Sequence, residues 1–147
     1  SRPDLELQRF VQGLAALRRS LPVLRQRRFL HARPRPFDRL PDVIWRRADG
    51  TIPLQEDWHD PAFRCLYVEL RMAAEGGDPC PQAVFAVFNT GAATPLSLPD
   101  TAPAWQLILD TPRPGLGPDG PPSPNATEAP AHSVLLFRSL KAKTMEG

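Results

Sequence analysis

After its opening stretch this chain never again repeats its apolar residues at helical spacing. From Asp42 onward each apolar run is short and is closed off by Gly, Pro, Asn or Asp, the punctuation of strands and turns. The runs DVIW, TIPL, RCLYVEL, AVFAVFN, TPLSLP, AWQLILD and HSVLLFRS make about seven strands. No helical pattern lies between them, and parallel neighbours would need long, usually helical crossovers, so pairing should be antiparallel. The predicted fold is all-β: an antiparallel β-sandwich of about seven strands preceded by one N-terminal α-helix. With 147 residues, 41% of them hydrophobic, the chain can bury one ordinary core.

The helical part comes first. Leu7, Phe10, Val11, Leu14 and Leu17 recur at i, i+3, i+4 and i+7, with Asp4 as the expected N-cap. Pro22 limits the helix, because its ring clashes with the preceding turn, and a second short turn, VLRQRRFL, leads away. The expected division is a helical segment over 1–28 and a sandwich over 29–147. Within the sandwich, Asp49-Gly50 suits a tight hairpin between DVIW and TIPL, since both residues tolerate positive φ. RCLYVEL should place Cys65, Tyr67 and Glu69 on one face and Leu66, Val68 and Leu70 on the other.

Residues 111–130 interrupt the pattern. Seven of these 20 residues are proline and three are glycine, which implies an exposed loop and not a central strand. The literal G-x-G-x-x-G in GLGPDG has prolines where a dinucleotide site needs a helix. The triplet NAT at Asn125 carries no meaning for a cytosolic protein.

Charge is unevenly placed. Sixteen arginines stand against two lysines, the usage of a GC-rich bacterial coding bias. Residues 1–47 carry a balance of +8 (12 arginines, four acids); the remainder carries −6 (six basic, 12 acidic). A basic N-terminal third fits nucleic acid, but an arginine-rich helix surface facing an acidic neighbour explains it as well, and we favour that reading. No run of about 18 apolar residues exists to span a membrane, and the N-terminus shows no targeting signal. Two cysteines, Cys65 and Cys80, are too few for a disulfide framework and point to a reducing, cytoplasmic setting.

The stretch LQEDWHDPAFRCLYVEL, from Leu54 to Leu70, concentrates the candidate chemistry. Glu56, Asp57 and Asp60 offer oxygens to a hard cation, but without the glycine turn or ligand spacing of a calcium loop. His31, His59 and His132 are far apart in sequence and neither cysteine has a C-x-x-C partner, so no zinc site, and no cofactor, is expected. No pair of acids stands out for glycosidase work. Trp58 admits two readings. Asp57 and Asp60 could form local side-chain turns with Trp58 packed over the sandwich edge; or Trp58 could be an exposed, flat carbohydrate-binding platform. Trp45 and Trp105 lie inside strands, where a core role is expected.

At this point the residues resemble a family. LQRFVQGLAALRRSLPVLRQRRFL is similar to the last barrel helix of bacterial glycogen debranching enzymes, the isoamylase-type branch of the α-amylase superfamily. DVIWRRADGTIPLQEDWHDPAFRCLYVEL resembles the segment that opens that family's C-terminal β-sandwich. WQLILDT and APAHSVLLFRS resemble its last strands. In that family the aspartate nucleophile and glutamate acid belong to a (β/α)8 barrel upstream, and no residue here matches either. The resemblance implies a non-catalytic C-terminal domain that supports the catalytic barrel of a glycoside hydrolase in glycogen breakdown, with no catalytic or metal-binding residue of its own. A stand-alone glucan-binding module, with at least two exposed aromatics on one face, and a basic nucleic-acid-binding protein are the alternatives. The stripe Leu7, Phe10, Val11, Leu14 and Leu17 would face the barrel, fold back on the sandwich, or form a weak homodimer.

Overall fold

The computed structural model describes residues 2–25, 30–34, 39–72, 82–111 and 128–140. Of the loop expected over residues 111–130, residues 112–127 with the GLGPDG and NAT motifs lie outside the described residues, as does Cys80. Its end departs from an exposed loop: Glu128–Ala129 form a short strand and Ala129 is fully buried.

Helix α1 (Arg2–Ser20) begins two residues earlier than its expected cap, so Asp4 sits in the first turn, where a carboxylate also suits the helix dipole. It ends at Ser20 because Leu21 precedes Pro22, and a residue before proline is pushed out of helical geometry. Its last carbonyls are satisfied locally: Leu17 O accepts from the Leu21 amide at 3.1 Å and from Ser20 Oγ at 2.9 Å, and Arg19 O accepts from Arg25 Nη2 at 2.9 Å. A 3-10 turn over Pro22–Arg25 follows, tied to the sheet by the Val23 amide, which donates to Gln82 Oε1 at 3.3 Å.

Seven strands follow: β1 (Val43–Arg47), β2 (Cys65–Arg71), β3 (Ala83–Asn89), β4 (Thr94–Pro95), β5 (Ala104–Asp110), β6 (Glu128–Ala129) and β7 (Ser133–Leu140). Five form one sheet in the order β1-β2-β3-β7-β5, every pair antiparallel, and β4 pairs with β6 in a short ribbon. The all-β antiparallel fold preceded by one helix is therefore what the residues build. Its strands are unequal: five long ones carry the sheet, while TPLSLP contributes only the two residues of β4.

The sheet's two faces bury two clusters. Tyr67, Phe85, Val87, Leu107, Leu135 and Phe137 pack on the ribbon side with Leu96 and Leu98. Leu17, Leu21 and Val23 pack on the other face with Val84, Ile108 and Leu109. Strand β2 alternates as expected, with Cys65 and Tyr67 on the ribbon side and Leu70 against the helix-side cluster. A bulge between Leu107 and Leu109 breaks that alternation in β5. It lets Ile108 and its neighbour Leu109 both enter the helix-side cluster, which a strict two-residue period forbids.

The Asp49-Gly50 turn forms, with Gly50 at φ 87° and Asp49 Oδ1 accepting from the Thr51 amide and hydroxyl at 2.9 and 2.6 Å. The expected hairpin is begun but not extended: the Arg47 amide donates to Thr51 O at 2.7 Å, beyond which TIPL forms no strand, while β1 pairs along its length with β2. The physical reason is local: Pro53 has no N–H to donate, and the Leu54 amide is taken by Asp57 Oδ2 at 2.7 Å.

Candidate functional site

Three of the four acids of the Leu54–Leu70 stretch are used by the fold, while Glu56 is exposed and its side chain makes no capping hydrogen bond. Asp57 accepts the Leu54 amide and lies 3.6 Å from Arg47 Nη1, and it opens a 3-10 turn over Asp57–His59. Asp60 Oδ1 accepts the Ala62 amide at 2.9 Å. These are the local side-chain turns the sequence implies. Glu69 is wholly buried on the ribbon side. Its Oε2 accepts from Arg46 Nη1 at 2.8 Å, and its Oε1 from Thr101 Oγ1 at 2.6 Å and from Arg71 Nη2. Arg71 Nη2 also donates to Thr101 O at 2.8 Å. One carboxylate thus pins two strands and the 100–103 turn. Both oxygens of Glu69 are taken up by these structural contacts.

Among the described residues, no group of three or more His, Cys, Asp or Glu side chains is close enough to hold a metal ion. Cys65 lies on the wall of a cleft of about 420 Å3 shared with Arg47, Phe63, Arg64 and Asn89. Burial pushes its thiol above the ordinary value, which suits a core side chain and not a nucleophile.

The aromatic residues sort differently from the acids. Trp105 is buried, its Nε1 donating to Pro99 O at 2.8 Å, as a core role requires. Trp45 departs from that expectation: it lies on edge strand β1 and is 41% exposed. It lies outside the helix-side cluster, whose strand members are Leu70, Val84, Ile108, Leu109 and Leu136. Trp58 is 50% exposed and meets Trp45 edge-on, with ring centroids 5.9 Å apart and planes at 84°. Phe63 braces Trp58 from another side at 5.8 Å and 82°. Trp58 therefore packs against Trp45 and Phe63 and keeps half its surface exposed. Phe88 on β3, 43% exposed, faces the same side of the sheet as Trp45, which pairs with Val68 next to the Leu66–Phe88 row. Its position follows from alternation, because Phe85 and Val87 point into the ribbon-side core.

The helix offers a second surface. Leu17 is buried and Phe10 packs half-buried on the helix-side cluster. Leu7, Val11 and Leu14 stay 62%, 54% and 37% exposed. The five-residue stripe is thus split: one edge closes on the sheet, and the other faces water beside the exposed Arg9, Arg18 and Arg19.

Sequence reasoning passed over Asn89. Its Nδ2 donates to Ala92 O and Pro130 O, each at 2.9 Å, and its Oδ1 accepts the Gly91 amide at 3.0 Å. It clamps the end of β3 to both arms of the ribbon, and the one visible signal was an amide closing an apolar run. No helix among the described residues is long and apolar enough to cross a membrane. Compared with known proteins, the chain matches no protein-family model and no curated protein.

Proposed function

We propose that this chain is a non-catalytic β-sandwich domain that docks against the catalytic barrel of an isoamylase-type, glycogen-debranching α-1,6-glucosidase in the cytoplasm. The identity of that partner rests on the resemblance of the four segments quoted above. The docking role rests on one observation: α1 reaches its own sheet through Phe10 and Leu17 and leaves Leu7, Val11 and Leu14 in water. Full burial of such side chains would stabilise by roughly 1.5–3 kcal/mol each, so a covering partner has much to gain. The deployment of Asp57, Asp60 and Glu69 as structural acids supports a role other than catalysis.

A second copy fits the strip less well than a barrel. Three partly exposed aliphatic side chains offer a few hundred Å2, short of the roughly 800 Å2 per partner in a stable interface. The flanking arginines would also meet their own kind. A barrel linked in the same polypeptide needs no self-sufficient interface, because linkage raises its effective concentration.

The test fuses this chain through its N-terminus to an isoamylase-type barrel stripped of its own C-terminal domain, with the isolated chain as reference. We expect amide hydrogen exchange over residues 5–14 to slow, and the double change Leu7→Asp and Leu14→Asp to abolish that protection. The chain alone should release no reducing ends from glycogen or pullulan. Turnover that survives repurification and is lost on mutating an acid within residues 54–70 would overturn the proposal, as would unprotected helix amides.

A further inference from the structure

We propose that the cleft at the Cys65–Asn89 end of the sheet binds a small oxyanion, the carboxylate or phosphate group of a small molecule, between Arg47 and Arg64. The site goes beyond the docking role of α1. Cys65 pairs with Asn89 at one end of β2 and β3, while Leu70 and Val84, which pack with the helix, pair toward the other. The cleft's volume of about 420 Å3 lies within the roughly 300–1,000 Å3 usual for small-molecule pockets. Its room comes from short side chains, since Ala48, Ala62, Gly91 and Ala92 all line it.

Arg64 is held at the mouth. Its carbonyl accepts from the Thr90 amide at 2.7 Å and the Thr90 hydroxyl at 3.0 Å. Its stem lies along Gly91, where an added Cβ would stand 3.1 Å from Arg64 Cβ and 3.3 Å from Cδ. Arg64 is exposed, and among the described residues its guanidinium forms no ion pair. Arg47 faces Leu66 in the β1–β2 ladder, which makes Arg64 its diagonal neighbour, about 7–8 Å away and within reach of one shared group. Arg47 Nη1 is 3.6 Å from Asp57, too long for a hydrogen bond, so its donors stay available. Asp49 also lines the cleft, but its Oδ1 is turned to the Thr51 amide and hydroxyl. Asn89 fixes the floor through Ala92 O, Pro130 O and the Gly91 amide, and a site built in advance loses little freedom on binding.

Two neighbouring guanidinium forks suit an anion with two or more oxygens, because each fork donates paired N–H bonds that a halide cannot accept in the same way. Asp49 and Asp57 offset the two positive charges, so long-range attraction is small and affinity rests on these directed bonds. A nucleic acid, which needs a field of uncompensated positive charge, fits less well.

The test is an NMR titration of the full 15N-labelled chain with inorganic phosphate, succinate and chloride at fixed ionic strength. Phosphate or succinate should shift the amides of Ala48, Arg64, Gly91 and Ala92 along saturable curves, and chloride should not. The tighter of the two anions assigns the ligand's group as phosphoryl or carboxylate. Arg64→Gln should weaken saturation by about tenfold or more, the loss of one charge-assisted hydrogen bond. Gly91→Ala should also weaken it by displacing the arginine stem. If Arg47→Gln loosens the Asp57 turn, the Arg64→Gln comparison decides alone. Shifts that stay linear with both oxyanions would overturn the proposal, as would saturable shifts confined to α1 or curves indifferent to Arg64→Gln.

Discussion

Glu69 shows most plainly how one residue sets its neighbourhood. Buried, it accepts hydrogen bonds from Arg46, Arg71 and Thr101. Removing one partner of a buried ion pair typically costs about 3–5 kcal/mol, because the remaining charge has lost both water and partner. Glu69→Gln keeps the shape and removes the charge, so the unfolding free energy from urea denaturation should fall by about 3–5 kcal/mol. A change below about 1 kcal/mol would mean that Arg46 and Arg71 find other anions. Asp42 offers a pH-dependent counterpart. Partial burial alone would raise its carboxyl, but the amides of His31 and Ala32, at 2.8–3.1 Å, outweigh that and hold it below its ordinary value. A carboxyl lowered in the folded state contributes stability above its unfolded value of 3.8, and that contribution is lost as pH falls through the folded value. Asp42→Asn should therefore flatten the acid limb of a stability–pH curve below about pH 5. An unchanged acid limb would show that the carboxylate does not tether residues 30–34.

At the scale of elements, α1 has two apolar edges with opposite fates. Leu17 is enclosed by Leu21, Val23 and Ile108, so Leu17→Ala should cost about 2–5 kcal/mol by leaving a cavity. Leu7, 62% exposed, should tolerate alanine within about 0.5 kcal/mol in the isolated chain. Chemical denaturation of the two variants separates these outcomes, and equal losses would mean that the strip is covered in solution. Both edges lie in one continuous periodic stripe, so the sequence announces a helix with an apolar side without marking where the sheet stops and water begins. Strand β5 teaches the converse. AWQLILD reads as a strand at once, but the bulge that sends Ile108 and Leu109 to the same face leaves no compositional trace.

For the molecule as a whole, the expected association state follows from area and charge. A helix strip of a few hundred Å2 lined by arginines should leave the chain monomeric at micromolar concentration. Light scattering over a concentration series checks this, and a stable dimer dispersed by Leu7→Asp and Leu14→Asp would assign the strip to a second copy instead. The one-helix, all-antiparallel architecture was legible because periodicity and proline are local properties: a helix needs its apolar residues every three to four positions, and prolines end runs wherever they fall. The faces of RCLYVEL and the side-chain turns at Asp57 and Asp60 were legible for the same reason. Strand partners were not, because pairing is decided between distant segments: β1 takes RCLYVEL on one edge, while TIPL, with no N–H on Pro53 and the Leu54 amide bound to Asp57, adds no strand to the other. Nor was exposure. Whether an indole in a strand is core or surface depends on which distant elements pack over it, and Trp45 stays outside the helix-side cluster. The gathering of Trp45, Trp58 and Phe88 on one side is a product of that coverage, so it exists only in three dimensions.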